Sequence, residues 1–177
     1  MEYEANSISK HHPVRKLFHG VADRALTQSS LTDKDLLDYL TDLLMHFINV
    51  NHLYEIKDKD GNSLEYLVDM CEGVSEAPRS HKKVHYQQIG DHTLFMLGMF
   101  PESLTRGKRT LSHSYYADTG RRSYIAASQL EVDEGTTVVF RKLAEKYERC
   151  VVSLKWVREY THDPFYQYML RQYGITP

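Results

Sequence analysis

Gln87-Gln-Ile-Gly-Asp-His-Thr-Leu-Phe-Met-Leu-Gly-Met-Phe-Pro101 is the stretch on which the fold turns. Advanced by about 100° per residue, Ile89, Leu94, Phe95, Met96, Leu97, Met99 and Phe100 fall on every side of a helix. A helix that is apolar all round is a buried one, and this one is too short to span a bilayer. The pattern therefore predicts a central helix over about 80–100 with other helices packed around it. Two polar residues interrupt the apolar run. Asp91 lies between the stripes of Leu94 and Phe95, and His92 sits one turn from Met96 and Met99. Both side chains are expected to meet protein rather than water. Gly90 and Gly98 point the same way: glycine costs about 1 kcal/mol against alanine inside a helix. Its use here predicts a close crossing, against Gly120 or Ala126-Ala127.

The flanking sequence reads as helix in both directions. His12-Pro13 opens one, with Val14, Leu17, Phe18, Val21, Ala25 and Leu26 on one side and proline in the first turn. Thr32-Asp-Lys-Asp35 reads as an N-cap with acid at the positive end of the dipole. Leu36, Leu37, Leu40, Leu43, Leu44, Phe47 and Ile48 then keep helical spacing to about Val50. Asn62 with Glu65 resembles a capping box for a short helix through Cys71, broken by Gly73 to Pro78. Beyond Pro101 the period predicts helices over 112–130 and 136–160. Asp163-Pro164 opens a last one over 164–173, ended by Gly174. Residues 53–66 read as a helix extension or one short hairpin, and residues 1–10 as a loose arm. The predicted architecture is an all-α, single-domain bundle of six or seven helices spanning 1–177.

Composition narrows the function classes. The chain has 177 residues, a formal charge of −2 and 26% charged residues. That balance argues against general nucleic-acid binding, which needs a basic excess. Arg106-Gly-Lys-Arg109 and Arg121-Arg122 are small basic patches of the kind loops and solvated faces carry. Cys71 and Cys150 stand far apart in no CxxC pairing, so neither a zinc site nor a disulfide framework is indicated. With no apolar leader after Met1-Glu-Tyr-Glu and no membrane span, a reducing cytoplasm is the expected location.

The metal motifs are incomplete. Asp58-Lys-Asp-Gly-Asn62 starts like a calcium loop, but Ser63, Glu65 and Asp69 stand where glycine, an apolar residue and glutamate belong. Glu159-Tyr-Thr-His162 has di-iron spacing in a single copy, at a helix end. His11, His12 and His19 lie beside the loose arm and read as surface histidines. No metal or cofactor is expected. Phosphate-loop, nucleophile-elbow and zinc-helix motifs do not occur in the sequence.

What remains is the polar knot. A buried carboxylate left unpaired costs several kcal/mol, so Asp91 needs partners. A hairpin through 101–111 would bring up Ser112, His113, Tyr115, Tyr116, Arg121, Arg122 and Tyr124. The candidate cluster is Asp91, His92, Tyr115, Tyr116, Arg121, Arg122 and Tyr124. A cationic partner would depress the Asp91 pKa. Such a cluster serves either as a network that fixes helix register or as a pocket in which Asp91 tunes His92. The first reading is preferred, since buried ion pairs are common in non-catalytic cores. It makes the chain a helical domain acting through protein contact, as a homo-oligomer or the subunit of an assembly. Thirteen tyrosines favour that view, because tyrosine is enriched at interfaces. The alternative is a small-molecule binder or enzyme with a pocket on Asp91, His92 and the 112–124 helix.

Overall fold

The computed structural model describes residues 12–47, 67–105 and 112–174. Over these the chain is all-helical. The elements are α1 (Pro13–Gln28), α2 (Lys34–Phe47), α3 (Leu67–Glu76), α4 (Arg79–Met99), α5 (His113–Leu130), α6 (Glu134–Glu145), α7 (Tyr147–Thr161) and α8 (Pro164–Gln172). A 3-10 turn, Pro101–Thr105, follows α4. The arm at 1–10, the 53–66 hairpin, the calcium-like run and the patch at 106–109 lie outside the described residues.

Helix starts follow local chemistry. Asp33 Oδ1 accepts from the backbone N–H groups of Asp35 and Leu36, at 3.1 and 3.3 Å. Ser112, Asp133 and Asp163 cap α5, α6 and α8 in the same way. Each such cap satisfies an N–H that would otherwise lack a partner. At the far end Gly174 takes φ +71, the left-handed conformation glycine tolerates.

α4 is the centre. From Ile89 to Phe95, and again at Leu97 and Gly98, every residue is buried. It packs on α5, α7, α3 and α2. The glycines mark the closest approaches. A Cβ on Gly90 would come within 2.8 Å of the Tyr124 ring, and one on Gly98 would overlap Leu154 Cβ. Gly120 lies across the α4–α5 seam, where a Cβ would overlap the Thr93 and Tyr147 hydroxyls. Gly120 is thus on the crossing, but it faces Thr93 and the Tyr147 phenol, while Gly90 faces Tyr124 and Gly98 faces Leu154.

Two boundaries differ from the sequence reading. α3 runs through Gly73 and ends at Glu76, before Pro78, so glycine here does not break the helix. The single helix predicted over 136–160 is two, parted at Lys146 (φ −104, ψ 21). The described helices therefore number eight, not six or seven. Each half has its own neighbours: α6 lies on α5 and α2, whereas α7 lies on α4 and α1. No described helix is long and apolar enough to cross a membrane.

Candidate functional site: a carboxylate held by two phenols

Asp91 is 5% exposed, in the middle of α4. Tyr39 of α2 and Tyr124 of α5 both donate their phenolic hydrogens to its Oδ1, each at 2.6 Å. Gln87, one turn before Asp91, donates to the Tyr39 hydroxyl at 3.3 Å. One oxygen therefore ties three helices together. O–H to carboxylate bonds of this length are the charge-assisted kind. The walls are aromatic: Phe140 of α6 stacks on Tyr124 with centroids 6.1 Å apart and meets Tyr39 edge-on.

Burial governs the electrostatics. It pushes the Asp91 carboxyl up to about 6, against the opposing pull of Tyr124, Tyr39 and Gln87. It also raises both phenols well above their ordinary values, and the adjacent carboxylate raises them further. Two neutral donors do not replace the water a carboxylate loses on burial.

A second knot lies two residues further along α4. Tyr147 of α7 donates to Thr93 Oγ1 at 2.9 Å, and Thr93 donates back to the Ile89 carbonyl at 2.8 Å. The hydroxyl pair fills the space left by Gly120.

Of the residues singled out from the sequence, Tyr124 alone bonds Asp91. His92 is buried at 5% on the adjoining face of α4 but supplies none of those hydrogen bonds. Tyr116 is buried in the core, and burial followed by Tyr115 raises its pKa. Tyr115 is 40% exposed. Arg121 pairs on the surface with Glu148 and, at 3.5 Å, with Asp118. Arg122 is exposed. The expectation that Asp91 meets an arginine or a tyrosine of 106–124 is met by Tyr124; no described arginine reaches it, and the depression that a cation would bring is replaced by a rise. The reason is helical phase. The face of α5 turned to α4 carries Tyr116, Gly120, Ser123, Tyr124 and Ala127, and Arg122 lies about 200° around the helix from Tyr124. Ser112 serves as a cap, and His113 reaches the Pro101 carbonyl at 3.3 Å.

Sequence reasoning missed Tyr39 and Gln87, because it searched only the helix after α4. A signal existed. Tyr39 lies three residues after Leu36 and four before Leu43, at the edge of the buried stripe of α2.

A groove of about 580 Å³, open to solvent, runs between α2 and α6 past Asp35, Tyr39, Asp133, Thr136 and Val139. It touches the cluster only through Tyr39. Among the described residues, no three His, Cys, Asp or Glu side chains gather as a metal site. His12 Nδ1 caps α1, His19 lies 3.7 Å from Asp38, and His162 Nδ1 meets the Arg158 carbonyl. Cys71 and Cys150 are free thiols, Cys150 fully buried and pushed up to about 12 by that burial.

A second surface feature is apolar. α7 and α8 expose Val152 (44%), Trp156 (36%), Phe165 (60%) and Tyr168 (59%). Trp156 stacks on Tyr160, whose ring carries the Arg24 guanidinium 4.2 Å from its centroid. No protein-family model, curated protein or solved structure matches this chain.

Proposed function

We propose that this chain acts through protein–protein contact, with the outer face of α7 and α8 as the contact surface and the Asp91 cluster as an internal fastener. The observation that carries the reading is α8. Leu170 is the one buried residue of that helix, which nevertheless presents Phe165 and Tyr168 to solvent. Large exposed aromatics cost solubility unless something covers them, and aromatic residues are enriched in interface cores. The burial of Asp91 supports the same reading, since chemistry at that carboxylate would need access to it. A cytoplasmic setting belongs to the proposal, supported by two free thiols.

The test is a photo-crosslinking side chain placed at Tyr168 of the full chain in living cells. The expected result is a discrete protein adduct that Phe165→Glu abolishes. A chain that forms no adduct at any expression level overturns the reading.

The small-molecule alternative has one observation in its favour: Tyr39 joins the groove between α2 and α6 to Asp91. A ligand seated there would shift the NMR signals of Tyr39 and Val139 together. Tyr39→Phe would keep the groove and break the link to Asp91.

A further inference from the structure

α7 carries two stripes. Tyr147, Cys150, Leu154 and Val157 face the core. On the opposite side Arg149, Val152, Trp156 and Glu159 are all exposed. These four follow one another at steps of three, four and three residues, the a–d–a–d rhythm of a coiled-coil seam. The charges at the two ends of the stripe are unused among the described residues. Arg149 and Glu159 make no side-chain bond or ion pair among the described residues. Their chain neighbours, by contrast, are engaged: Glu148 with Arg121, and Arg158 with Glu102 at 2.9 Å.

We propose that α7 pairs with α7 of a second copy of this chain, antiparallel, about a two-fold axis near Leu154. In that register Val152 of each copy meets Trp156 of the other, and Arg149 meets Glu159. Each contact then occurs twice, as an isologous interface requires. The charge pattern selects the direction. A parallel pairing would set arginine against arginine and glutamate against glutamate, a repulsion that excludes it. Phe165 and Tyr168 are exposed on α8, the helix that follows α7 and packs on it. The proposal rests on the protein-contact reading above and names the partner for that surface.

Sedimentation velocity of the full chain, from low to high micromolar concentration, reads the monomer–dimer equilibrium. Trp156 is the sole tryptophan, so its emission gives an independent signal, moving to the blue as the dimer forms. Arg149→Glu and Glu159→Arg, each alone, place like charges in both pairs and weaken dimerisation about tenfold or more. The double reversal re-forms both pairs with signs exchanged and restores the affinity to within about threefold. Both positions are exposed, so unchanged circular dichroism is expected for every variant. A monomer throughout the range, a dimer indifferent to the single reversals, or a double variant as weak as the singles overturns the proposal. The crosslink at Tyr168 separates the two readings. An adduct of twice the chain mass supports self-pairing. An adduct of another mass overturns self-pairing and leaves the protein-contact reading standing. No adduct, together with a monomer, overturns both.

Discussion

Asp91 accepts two phenolic hydrogens on one oxygen while no described cation stands near it, and that combination sets the sign of its pH response. Its folded value, about 6, lies above the ordinary 3.8. Between those values the native chain holds a proton that the unfolded chain has released. Stability from this group is therefore greatest below about pH 4, falls as pH rises to about 6, and is level above. The shift corresponds to about 3 kcal/mol at neutral pH. Chemical denaturation of wild type and Asp91→Asn at pH 4, 5, 6 and 7 checks it. The difference between the two chains should change by that amount across the window and vanish in slope above it. A flat difference would mean that the carboxylate is well solvated. Asp91→Ala leaves the Tyr39 and Tyr124 phenols without their acceptor and should cost about 1–3 kcal/mol. This loss differs in origin from that of breaking an ion pair, because no stranded charge remains. Asp33 behaves in the opposite sense. Burial pushes its carboxyl up, but Lys142 and the Leu36 N–H outweigh that and hold it below the ordinary value. Its contribution is present above the unfolded pKa and lost as pH falls through the lower folded one.

Helices meet at glycines here, and the glycines are not equivalent. At Gly20, on an exposed stretch of α1, a Cβ would meet nothing within 4 Å, so Gly20→Ala should stabilise by about 0.5–1 kcal/mol through helix propensity. At Gly98 the added carbon would collide with Leu154 Cβ on a neighbouring helix, which cannot swing aside as a side-chain tip can. Gly98→Ala should destabilise by about 1–3 kcal/mol. Paired thermal melts of the two variants decide the matter, and equal shifts would contradict the crossing of α4 with α7. Periodicity revealed that α4 is central because an all-round apolar pattern has one stable location. It did not reveal the break at Lys146. The buried residues Phe140, Leu143, Tyr147, Cys150 and Leu154 keep one spacing across the junction, and neither glycine nor proline marks it. What parts the helix is tertiary. Lys142 and Lys146 are held by Asp33, at 3.1 and 3.4 Å, while Tyr147 is drawn to Thr93. Asp33→Ala removes both this anchor and the cap of α2, and should cost about 0.5–2 kcal/mol, part of it screened at high salt.

Across the whole molecule, the bundle was legible in the sequence and most of the cluster was not. Burial of Asp91 follows from the apolar pattern around it, but a partner's identity depends on rotational phase and on which helices become neighbours. Tyr124 and Arg122 are two residues apart and face opposite ways, so proximity in sequence to α4 was a poor guide. α8 shows a different limit. Its start is written in Asp163-Pro164, yet it packs chiefly on α7 and buries Leu170 alone. Truncation after Asp163 should therefore leave helical circular dichroism and one cooperative melt, with the midpoint lowered by a few degrees at most. A collapse of the melt would show that α8 is integral to the core.

Cys150 gives the fold a built-in clock. Its sulfur is wholly enclosed on α7 and its thiol holds its proton up to about pH 12, so a thiol reagent reaches a reactive thiolate only after the interior opens. Cys71 of α3, half-exposed and with its pKa raised less far by burial, should be modified through smaller openings. Mass spectrometry of a timed alkylation would show two separated rates in one native sample. The slow one should follow global unfolding and quicken with urea, and the fast one should be nearly indifferent to it.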